Sequence, residues 1–428
     1  MYIQLLFVVI YLFFAKRSCK ENSFLNKTVF FFVALYGGQL LLAIADPYKY
    51  YSINITTIIL FNLQIVLLLL GVSVAYNRFG RFVNLEIPRI FDVKINKAVL
   101  FIQLLTLLLA FLRYQRMSSL IMSMDELTDS ARGLYFTDLY TSYTEKLLND
   151  MVGAFGIVSY FFSFGLLFFH QKKLEWKEWF MIISGFGVIV LDTMSSLGRV
   201  VIFNIIVVFI MFYFLSSSYD KQVLRKRVRP AAFILIGIVA SVLAYATMVR
   251  TNVEGADLLL DNADQLIVEP FVSYFYVPIC AFEYGSNHIF GDLVPMMGAA
   301  DLAAPIDLLI TPFQAIDHSI KGINDILGER MTPRFSFPSG DTWNALFTGA
   351  SNYYIDFGLL GFIIFPFIHG YLLVSICRKS KSSGAWFIVF LFLFMSSFKH
   401  LVSSNIQSMT TVFSMLWIWY MKKTHSIT

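Results

Sequence analysis

The chain has 428 residues, of which 57% are hydrophobic and only 14% are charged, and its mean hydropathy is +0.68. Ordinary soluble domains carry about 25% charged residues, so this composition excludes a soluble globular protein. The sequence predicts an all-α, polytopic integral membrane protein. The net charge of +5 does not indicate nucleic-acid binding, because the basic residues are spread over short loops, where anionic lipid headgroups attract them.

Eleven apolar runs are the predicted transmembrane helices, judged against a hydrocarbon core of about 30 Å. In chain order they are Tyr2–Ala15, Thr28–Ala45, Ile55–Tyr76, Ala98–Leu112, Met151–His170, Trp179–Leu191, Val200–Leu215, Ala231–Met248, Phe357–Ile376, Trp386–Phe398 and Leu401–Tyr420. The first run lacks a basic segment before it and is followed by Lys16 and Arg17. We therefore interpret it as a retained membrane anchor and not as a cleaved signal peptide.

The distribution of charge gives the chain an orientation, because basic residues tend to stay on the cytoplasmic side of a membrane. With the N-terminus outside and the C-terminus inside, the cytoplasmic loops hold 22 of the 33 Lys and Arg but only 6 of the 28 Asp and Glu. Those loops are 16–27, 77–97, 171–178, 216–230, 377–385 and the tail from Met421. One helix more or fewer would invert half of the loops, so the alternation favours eleven spans.

Two large segments fall on the outer side of this single predicted membrane domain: 113–150, and 249–355 before the ninth span. Between Arg250 and Ile355 there are 13 Asp and Glu but only 4 Lys and Arg. Two stretches there, Pro270–Phe282 and Leu293–Ile310, are apolar enough either to lie in the membrane interface or to dip into the bilayer. Long ordered loops tend to be functional, so the second loop is the predicted location of the site.

The outer side of a membrane lacks nucleotide sugars and ATP, so an enzyme there needs a substrate that already carries an activated bond, such as a sugar on a lipid diphosphate. Arginine suits the leaving group, because its planar guanidinium binds phosphate oxygens in a bidentate way. The candidates are Arg199, Arg250, Arg330 and Arg334. The alternatives are that Arg199 and Arg250 reach lipid headgroups, and that Arg330 and Arg334 pair with nearby carboxylates.

A carboxylate near the acceptor hydroxyl would act as the general base. Asp356 opens the predicted ninth span, where the helix macrodipole alone would also favour an acid. Glu254 and Asp341 are weaker candidates for the base, and Asn344 is either a helix cap or a sugar ligand. The sequence holds neither Asp-x-Asp nor His-Glu-x-x-His, and its three cysteines fall on both sides of the membrane, so we expect no metal and no disulfide.

Three stretches resemble the Wzy-type polymerases of O-antigen and capsule repeat units. They are SSLGRVVIFNIIV around Arg199, EPFVSYFYVPICAFEYGSN from Glu269, and WNALFTGASNYYIDFGLLGFIIFPFIHGYLL from Trp343. The resemblance implies an inner-membrane enzyme, similar to membrane glycosyltransferases of the GT-C type, with a metal-free active site facing the periplasm. It would transfer a growing glycan from undecaprenyl diphosphate to the non-reducing end of another lipid-linked repeat unit.

The resemblance also implies partners and roles for particular residues. A chain-length regulator and a flippase would be partners, and undecaprenyl-diphosphate-linked oligosaccharide would be the substrate. Arg199 and Arg250 would hold diphosphate or sugar, with Arg330 and Arg334 as further candidates, and Asn344 and Asp356 match the C-terminal motif.

Other functions stay open at this point. An O-antigen ligase uses the same donor, and the same residue types would serve it. A flippase or exporter of lipid-linked glycan would be expected to show two related halves and a charged cavity, and the sequence shows neither. A structural membrane scaffold would leave the acidic loop unexplained.

Overall fold

The computed structural model of the protein describes most of the chain. The described residues are 1–20, 22–79, 95–122, 174–196, 206–215, 268–314, 316–317, 319–331, 335–336, 342–343, 347–380, 383–401, 409–423 and the single positions 155, 156, 163, 166 and 237.

The described secondary structure is helical apart from two short strands. The helices are α1 (Tyr2–Ser18), α2 (Ser23–Ala45), α3 (Ile55–Arg78), α4 (Lys97–Met122), α5 (Trp176–Ser196), α6 (Glu269–His288), α7 (Ala303–Gln314), α8 (Ile323–Met331), α9 (Ala350–Phe357), α10 (Gly361–Lys379), α11 (Gly384–Lys399) and α12 (Met409–Lys423). Short 3-10 turns lie at Phe290–Asp292 and Gly358–Leu360. Strand β1 (Phe335–Ser336) pairs antiparallel with β2 (Thr342–Trp343), with Phe335 opposite Trp343.

Four described segments are long and apolar enough to cross a membrane: Ser23–Ala45, Ile55–Arg78, Lys97–Arg116 and Ala350–Lys379. They overlap the predicted second, third, fourth and ninth spans, so the helical class is confirmed, and the described chain has four helices able to cross a membrane. The total of eleven and the orientation stay predictions. The fifth and eighth predicted spans fall, apart from isolated positions, outside the described residues.

Shorter or more polar helices occupy other predicted spans. α1 has 17 residues, α11 has 16 and α12 has 15, and an apolar helical stretch lies at Ile206–Leu215. α4 continues to Met122, ten residues beyond its predicted end, so the beginning of the predicted 113–150 loop is helical.

By its internal contacts the chain divides into two compact units. Unit 1 comprises Met1–Leu85, Glu269–Lys381 and Phe392–Val412, and unit 2 comprises Glu86–Val268, Ser382–Leu391 and Phe413–Thr428. In unit 2, α4 packs against α5, and Arg113 of α4 forms an ion pair with Asp192 of α5. Gln103 of α4 donates a hydrogen bond of 2.9 Å to the hydroxyl of Ser184.

Asparagine caps begin two of the spans in unit 1. The side chain of Asn22 accepts a hydrogen bond from the N–H of Leu25 at the start of α2, and Asn54 accepts one from Thr57 at the start of α3, both at 3.0 Å. An Asn at this position satisfies one of the four backbone N–H groups that a helix leaves unpaired at its N-terminus. The two asparagines therefore determine where these helices start.

Glycine allows α3 and α10 to pack backbone against backbone. A Cβ added at Gly71 of α3 would lie 2.1 Å from the carbonyl oxygen of Phe367, and one at Gly370 of α10 would lie 2.1 Å from that of Leu68. Association of helices in lipid depends on such close packing, since lipid tails are as apolar as the side chains. The two glycines thus set the spacing of these two helices.

The described acidic residues of unit 1 lie at one end of it, whereas basic residues lie at both ends, with Lys49, Lys321 and Arg330 among the acids. Basic residues lie in the last turns of α1, α3 and α10, and the guanidinium of Arg378 stands 5.3 Å from the ring centroid of Phe79. The opposite end comprises residues 46–54, 269–331 and 347–360, which we call the carboxylate end. Its described acidic residues include Asp46, Glu269, Glu283, Asp292, Asp301, Asp307 and Asp356.

An aromatic core joins the carboxylate end to the spans. Phe282 of α6 lies against Phe61 of α3 and Phe362 of α10, with ring centroids 5.5 and 5.4 Å apart. Tyr276, Val277, Ile279, Cys280, Ala281 and Phe282 all have side chains that are buried. The second half of the predicted Pro270–Phe282 stretch is therefore buried in protein.

We predict that Gly71→Ala destabilises the protein by about 1–3 kcal/mol, the usual cost of overpacking, because the new methyl group would overlap the backbone of α10. The matched control is Gly38→Ala in α2, where a Cβ has no neighbour within 4 Å. Both substitutions replace glycine by alanine inside a helix, so the gain in helix propensity is the same for both. Thermal unfolding of the purified protein in detergent measures the difference, and equal midpoints for the two variants would contradict the packing.

Candidate functional site

Asp356 is the predicted site residue whose surroundings are most completely described. It lies in the last turn of α9, and the 3-10 turn Gly358–Leu360 separates it from α10. The prediction that Asp356 opens the ninth span is therefore wrong: the span begins earlier, with α9, and the acid stands at the C-terminal end of that helix. Favourable interaction with the dipole of its own helix cannot explain Asp356 there, because that end of the dipole is negative.

Backbone N–H groups explain the burial of Asp356. The residue is 0% exposed, and its two carboxylate oxygens accept hydrogen bonds from the N–H groups of Ala300 at 2.8 Å and Asp301 at 3.0 Å. A buried carboxylate is costly unless it is hydrogen-bonded, and two such donors offset much of that cost. Asp356 therefore ties the end of α9 to the residues just before α7.

Backbone hydrogen bonds and a glycine conformation hold the segment 294–301 next to Asp356. The N–H groups of Met296 and Met297 donate to the carbonyl oxygens of Ile355 and Asp356, at 2.9 and 3.0 Å. Gly298 has φ +95°, a conformation that glycine adopts without strain. These backbone bonds hold the segment against α9, so the carboxylate of Asp356 meets a preformed set of donors.

A second carboxylate, Asp307 of α7, has the same role at the start of α8. It accepts hydrogen bonds from the N–H of Ile323 at 2.5 Å and from the N–H of Asn324 at 3.0 Å. A Cβ at Gly322 would lie 2.8 Å from its Oδ1, so only glycine allows this approach. The N-terminus of a helix favours negative charge. Asp307 is thus a tertiary cap that fixes α8 onto α7.

Asp46 and Glu283 bind the linker between α2 and α3. Asp46 accepts hydrogen bonds from the N–H groups of Tyr50 at 2.9 Å and Tyr51 at 3.1 Å. Glu283 of α6, only 4% exposed, accepts one from the N–H of Asn54 at 2.8 Å. Both carboxylates therefore accept hydrogen bonds from linker N–H groups that would otherwise need water as their partner, and in this way they order the linker.

Tyr276 of α6 joins this arrangement by donating a hydrogen bond of 3.2 Å to Oδ1 of Asp46. Burial, followed by the negative charge of Asp46, raises the pKa of Tyr276 well above its usual value. The phenol consequently stays protonated at neutral pH and serves as a hydrogen-bond donor rather than as a base.

Exposed charge at the carboxylate end is concentrated around α8. The guanidinium of Arg330 lies 3.7 Å from Oδ2 of Asp292, and both side chains are exposed. Lys321 forms an exposed ion pair of 2.6 Å with Glu329. Exposed pairs contribute little to stability, so a phosphate could compete for Arg330 at small cost. Of the predicted cations, Arg330 is the one that the described residues place on a surface open to a ligand.

The other predicted site residues lie outside the described residues. They are Arg199, Arg250, Glu254, Arg334, Asp341 and Asn344. Their roles stay predictions, as does the catalytic role of Asp356. In the described part of the chain no group of three or more His, Cys, Asp or Glu is placed to hold a metal ion.

A buried polar network within the spans of unit 1 was missed at the sequence level. Nε2 of His400 lies 2.8 Å from Nε2 of Gln64, and its ring stacks on Tyr353 with centroids 4.9 Å apart. Nε2 of His369 lies 2.6 Å from the hydroxyl of Ser397. In the sequence, the only local indication of this network is that each of the apolar runs involved contains a polar residue.

Two further bonds tie α2 to the same region. The hydroxyl of Tyr36 donates to the carbonyl oxygen of Ser397, and Nε2 of Gln39 donates to that of Leu401, both at 2.7 Å. The N–H of Gly349 donates to the carbonyl oxygen of His400 at 2.9 Å. Through His400 the network therefore reaches the start of α9, the helix that carries Asp356.

Comparison with known proteins identifies no relative. No protein-family model matches the chain, and neither the curated proteins nor the solved structures give a significant match.

We predict that Asp356→Asn and Asp356→Ala both destabilise the protein, because each leaves at least one buried N–H group without its acceptor. An unsatisfied buried donor costs about 1–3 kcal/mol, so the alanine variant, which loses both bonds, should unfold at the lower temperature. Asp292→Asn is the control, since the side chain of Asp292 is exposed. If Asp356→Asn unfolded at the same temperature as the unmodified protein, Asp356 would have no structural role.

Proposed function

We propose that the protein polymerises lipid-linked oligosaccharide repeat units of O-antigen or capsule. In this proposal the carboxylate end faces the periplasm of a bacterial inner membrane. The growing glycan would pass from undecaprenyl diphosphate to the non-reducing end of another lipid-linked repeat unit. The donor brings its own activated bond, which suits a site without nucleotide sugars.

The observation that carries the proposal is the construction of the Asp-Phe-Gly-Leu-Leu-Gly segment, the most specific part of the resemblance to Wzy-type polymerases. Asp356 holds the residues before α7, and Gly358 has φ +58°. A Cβ at Gly361 would lie 2.0 Å from the carbonyl oxygen of Tyr353. Asp356, Gly358 and Gly361 of the motif thus each meet a specific structural need where a candidate membrane span joins the carboxylate end.

The proposed reaction divides the work among several residues. The acceptor hydroxyl attacks the anomeric carbon, the bond from that carbon to the diphosphate oxygen breaks, and the electron pair leaves with undecaprenyl diphosphate. Arg330, with Arg199, Arg250 and Arg334, would bind the diphosphate. Because Asp356 is 0% exposed and both of its oxygens accept backbone N–H groups, the proposal gives it a positioning role in place of the catalytic role predicted from the sequence. Glu254 and Asp341 are then the candidates to take the proton of the acceptor.

One observation favours a second candidate, a flippase or exporter of lipid-linked glycan. His369 and His400 are ionisable groups among membrane helices, and such residues often mark proton relays in transporters. An O-antigen ligase is the third candidate, because its donor is the same as that of the polymerase.

Deletion of the gene in the native host distinguishes these functions. Loss of a polymerase leaves lipid A core capped with a single repeat unit, because flipping and ligation continue. Loss of a flippase or a ligase leaves bare core. Gel electrophoresis of the lipopolysaccharide reads the outcome directly, and bare core would refute the polymerase assignment.

For the site, we predict that Arg330→Ala lowers polymer yield about tenfold to a hundredfold, the equivalent of a lost charge-assisted contact of about 1.5–3 kcal/mol. Lys321→Ala is the matched control, since Lys321 is also an exposed, ion-paired cation of the carboxylate end. Arg250→Ala and Arg334→Ala should behave like Arg330→Ala, with the protein still present in the membrane by immunoblot. Normal polymer from all three arginine variants would remove these arginines from the mechanism.

A further inference from the structure

The exposed residues of α7, with Leu302 before it and Ile316 after it, are all apolar, and the first exposed charged residue beyond them is Asp317. The exposed described residues from 302 to 316 are Leu302, Pro305, Leu309, Pro312, Phe313 and Ile316. Their spacing of three and four places those within the helix on one side of it. Leu309 is 73% exposed, Phe313 60% and Ile316 85%. A face of this size without a single polar side chain is unlike one that contacts water.

The opposite face of α7 is fixed in the protein. Ala303, Ala304 and Asp307 are buried. Asp307 binds the N-terminus of α8, and Asp356 binds the N–H groups of Ala300 and Asp301 just before α7 begins. The helix cannot turn its apolar side inward without breaking these bonds, so the outward direction of that side is part of the fold.

The exposed charged side chains of this region lie beyond α7, first at Asp317 in the turn that follows it and then on α8 and just before it. Lys321, Asp325, Glu329 and Arg330 are all exposed. α7 and α8 pack against each other, so the pair presents an apolar surface on one helix and a charged surface on the other. This is the division expected where lipid meets water.

Exposed apolar residues also lie on a candidate membrane-crossing segment that is bonded to the residues just before α7. The N–H of Met297 is bonded to the carbonyl oxygen of Asp356, within the candidate span Ala350–Lys379, and Met297 is 72% exposed. Leu359 and Leu360, which follow in that span, are 58% and 61% exposed, and Ile363, Ile364 and Ile368 are exposed farther along it. In a helix that crosses a membrane, exposed apolar side chains such as these contact acyl chains, and Met297 connects this span to the residues just before α7.

We propose that α7 is an interfacial helix that lies in the membrane leaflet at the carboxylate end, with Leu302, Leu309, Phe313 and Ile316 among the acyl chains. Lipid is the occupant because the exposed residues from 302 to 316 are all uncharged and apolar, as are the exposed Leu359 and Leu360 of the span to which the segment before α7 is bonded. Helices of this kind sit about 5–10 Å below the headgroup boundary. α8 then lies at headgroup level, where Lys321 and Arg330 meet phosphates. The placement does not depend on which reaction the protein catalyses.

Fluorescence quenching tests this placement. Leu309→Cys and, as a second position, Ile316→Cys are labelled with an environment-sensitive fluorophore, and Glu329→Cys on α8 is the control. The unmodified chain gives the labelling background, because Cys19, Cys280 and Cys377 are buried. The proteins are reconstituted into vesicles of phosphatidylethanolamine and phosphatidylglycerol, with or without doxyl-labelled lipid, and iodide is added as the aqueous quencher.

The proposal predicts that doxyl lipid lowers the fluorescence of labels at positions 309 and 316 about twofold or more, while iodide leaves it unchanged. At position 329 iodide should lower the fluorescence and doxyl lipid should leave it unchanged. Quenching of 309 and 316 by iodide would place α7 in water and overturn the proposal. Protection of both positions from both quenchers would mean that a second copy or another protein covers the face, and this would overturn it equally.

Discussion

The carboxylate end depends on one interaction, the hydrogen bond from a backbone N–H group to a buried or half-buried carboxylate. Asp356, Asp307, Asp46 and Glu283 all accept such bonds. Asp356, Asp307 and Glu283 join segments that are 16 or more residues apart, whereas Asp46 orders the residues that directly follow it. The interaction explains how these four described carboxylates can lie in packed protein, because the partial positive charge of N–H groups replaces that of lysine and arginine. The acidic composition is therefore partly structural, and it need not all serve a substrate.

Two consequences follow for the rest of the molecule. The residues before α7 are held to the end of α9, and α8 is held to α7, so the exposed cations of α8 have a fixed position relative to the span that begins with α9. The aromatic core around Phe282 and the glycine contacts of α3 with α10 hold that span in turn. A diphosphate bound at Arg330 would thus be presented by a rigid scaffold, as catalysis by positioned charge requires.

Composition and local pattern predicted the helical class and four of the spans, because apolar run length is a local property. They failed at Asp356, where the sequence shows an acid before an apolar run but not the earlier turn of helix that makes it a C-terminal residue. The network of Gln64, His369 and His400 was also missed, because its partners are up to 336 residues apart in the chain. Which N–H groups a carboxylate binds is likewise decided by tertiary structure alone.

Hydrogen exchange of single amides in lipid nanodiscs tests the central claim most directly. If buried carboxylates bind these donors, the amides of Ala300 and Asp301 should exchange roughly tenfold to a hundredfold more slowly, after correction for intrinsic rates, than the amide of Ser319. Ser319 is the right reference because its N–H is also bonded to a carboxylate, that of Asp317, but at an exposed position. Exchange of Ala300 and Asp301 as fast as that of Ser319 would contradict the account.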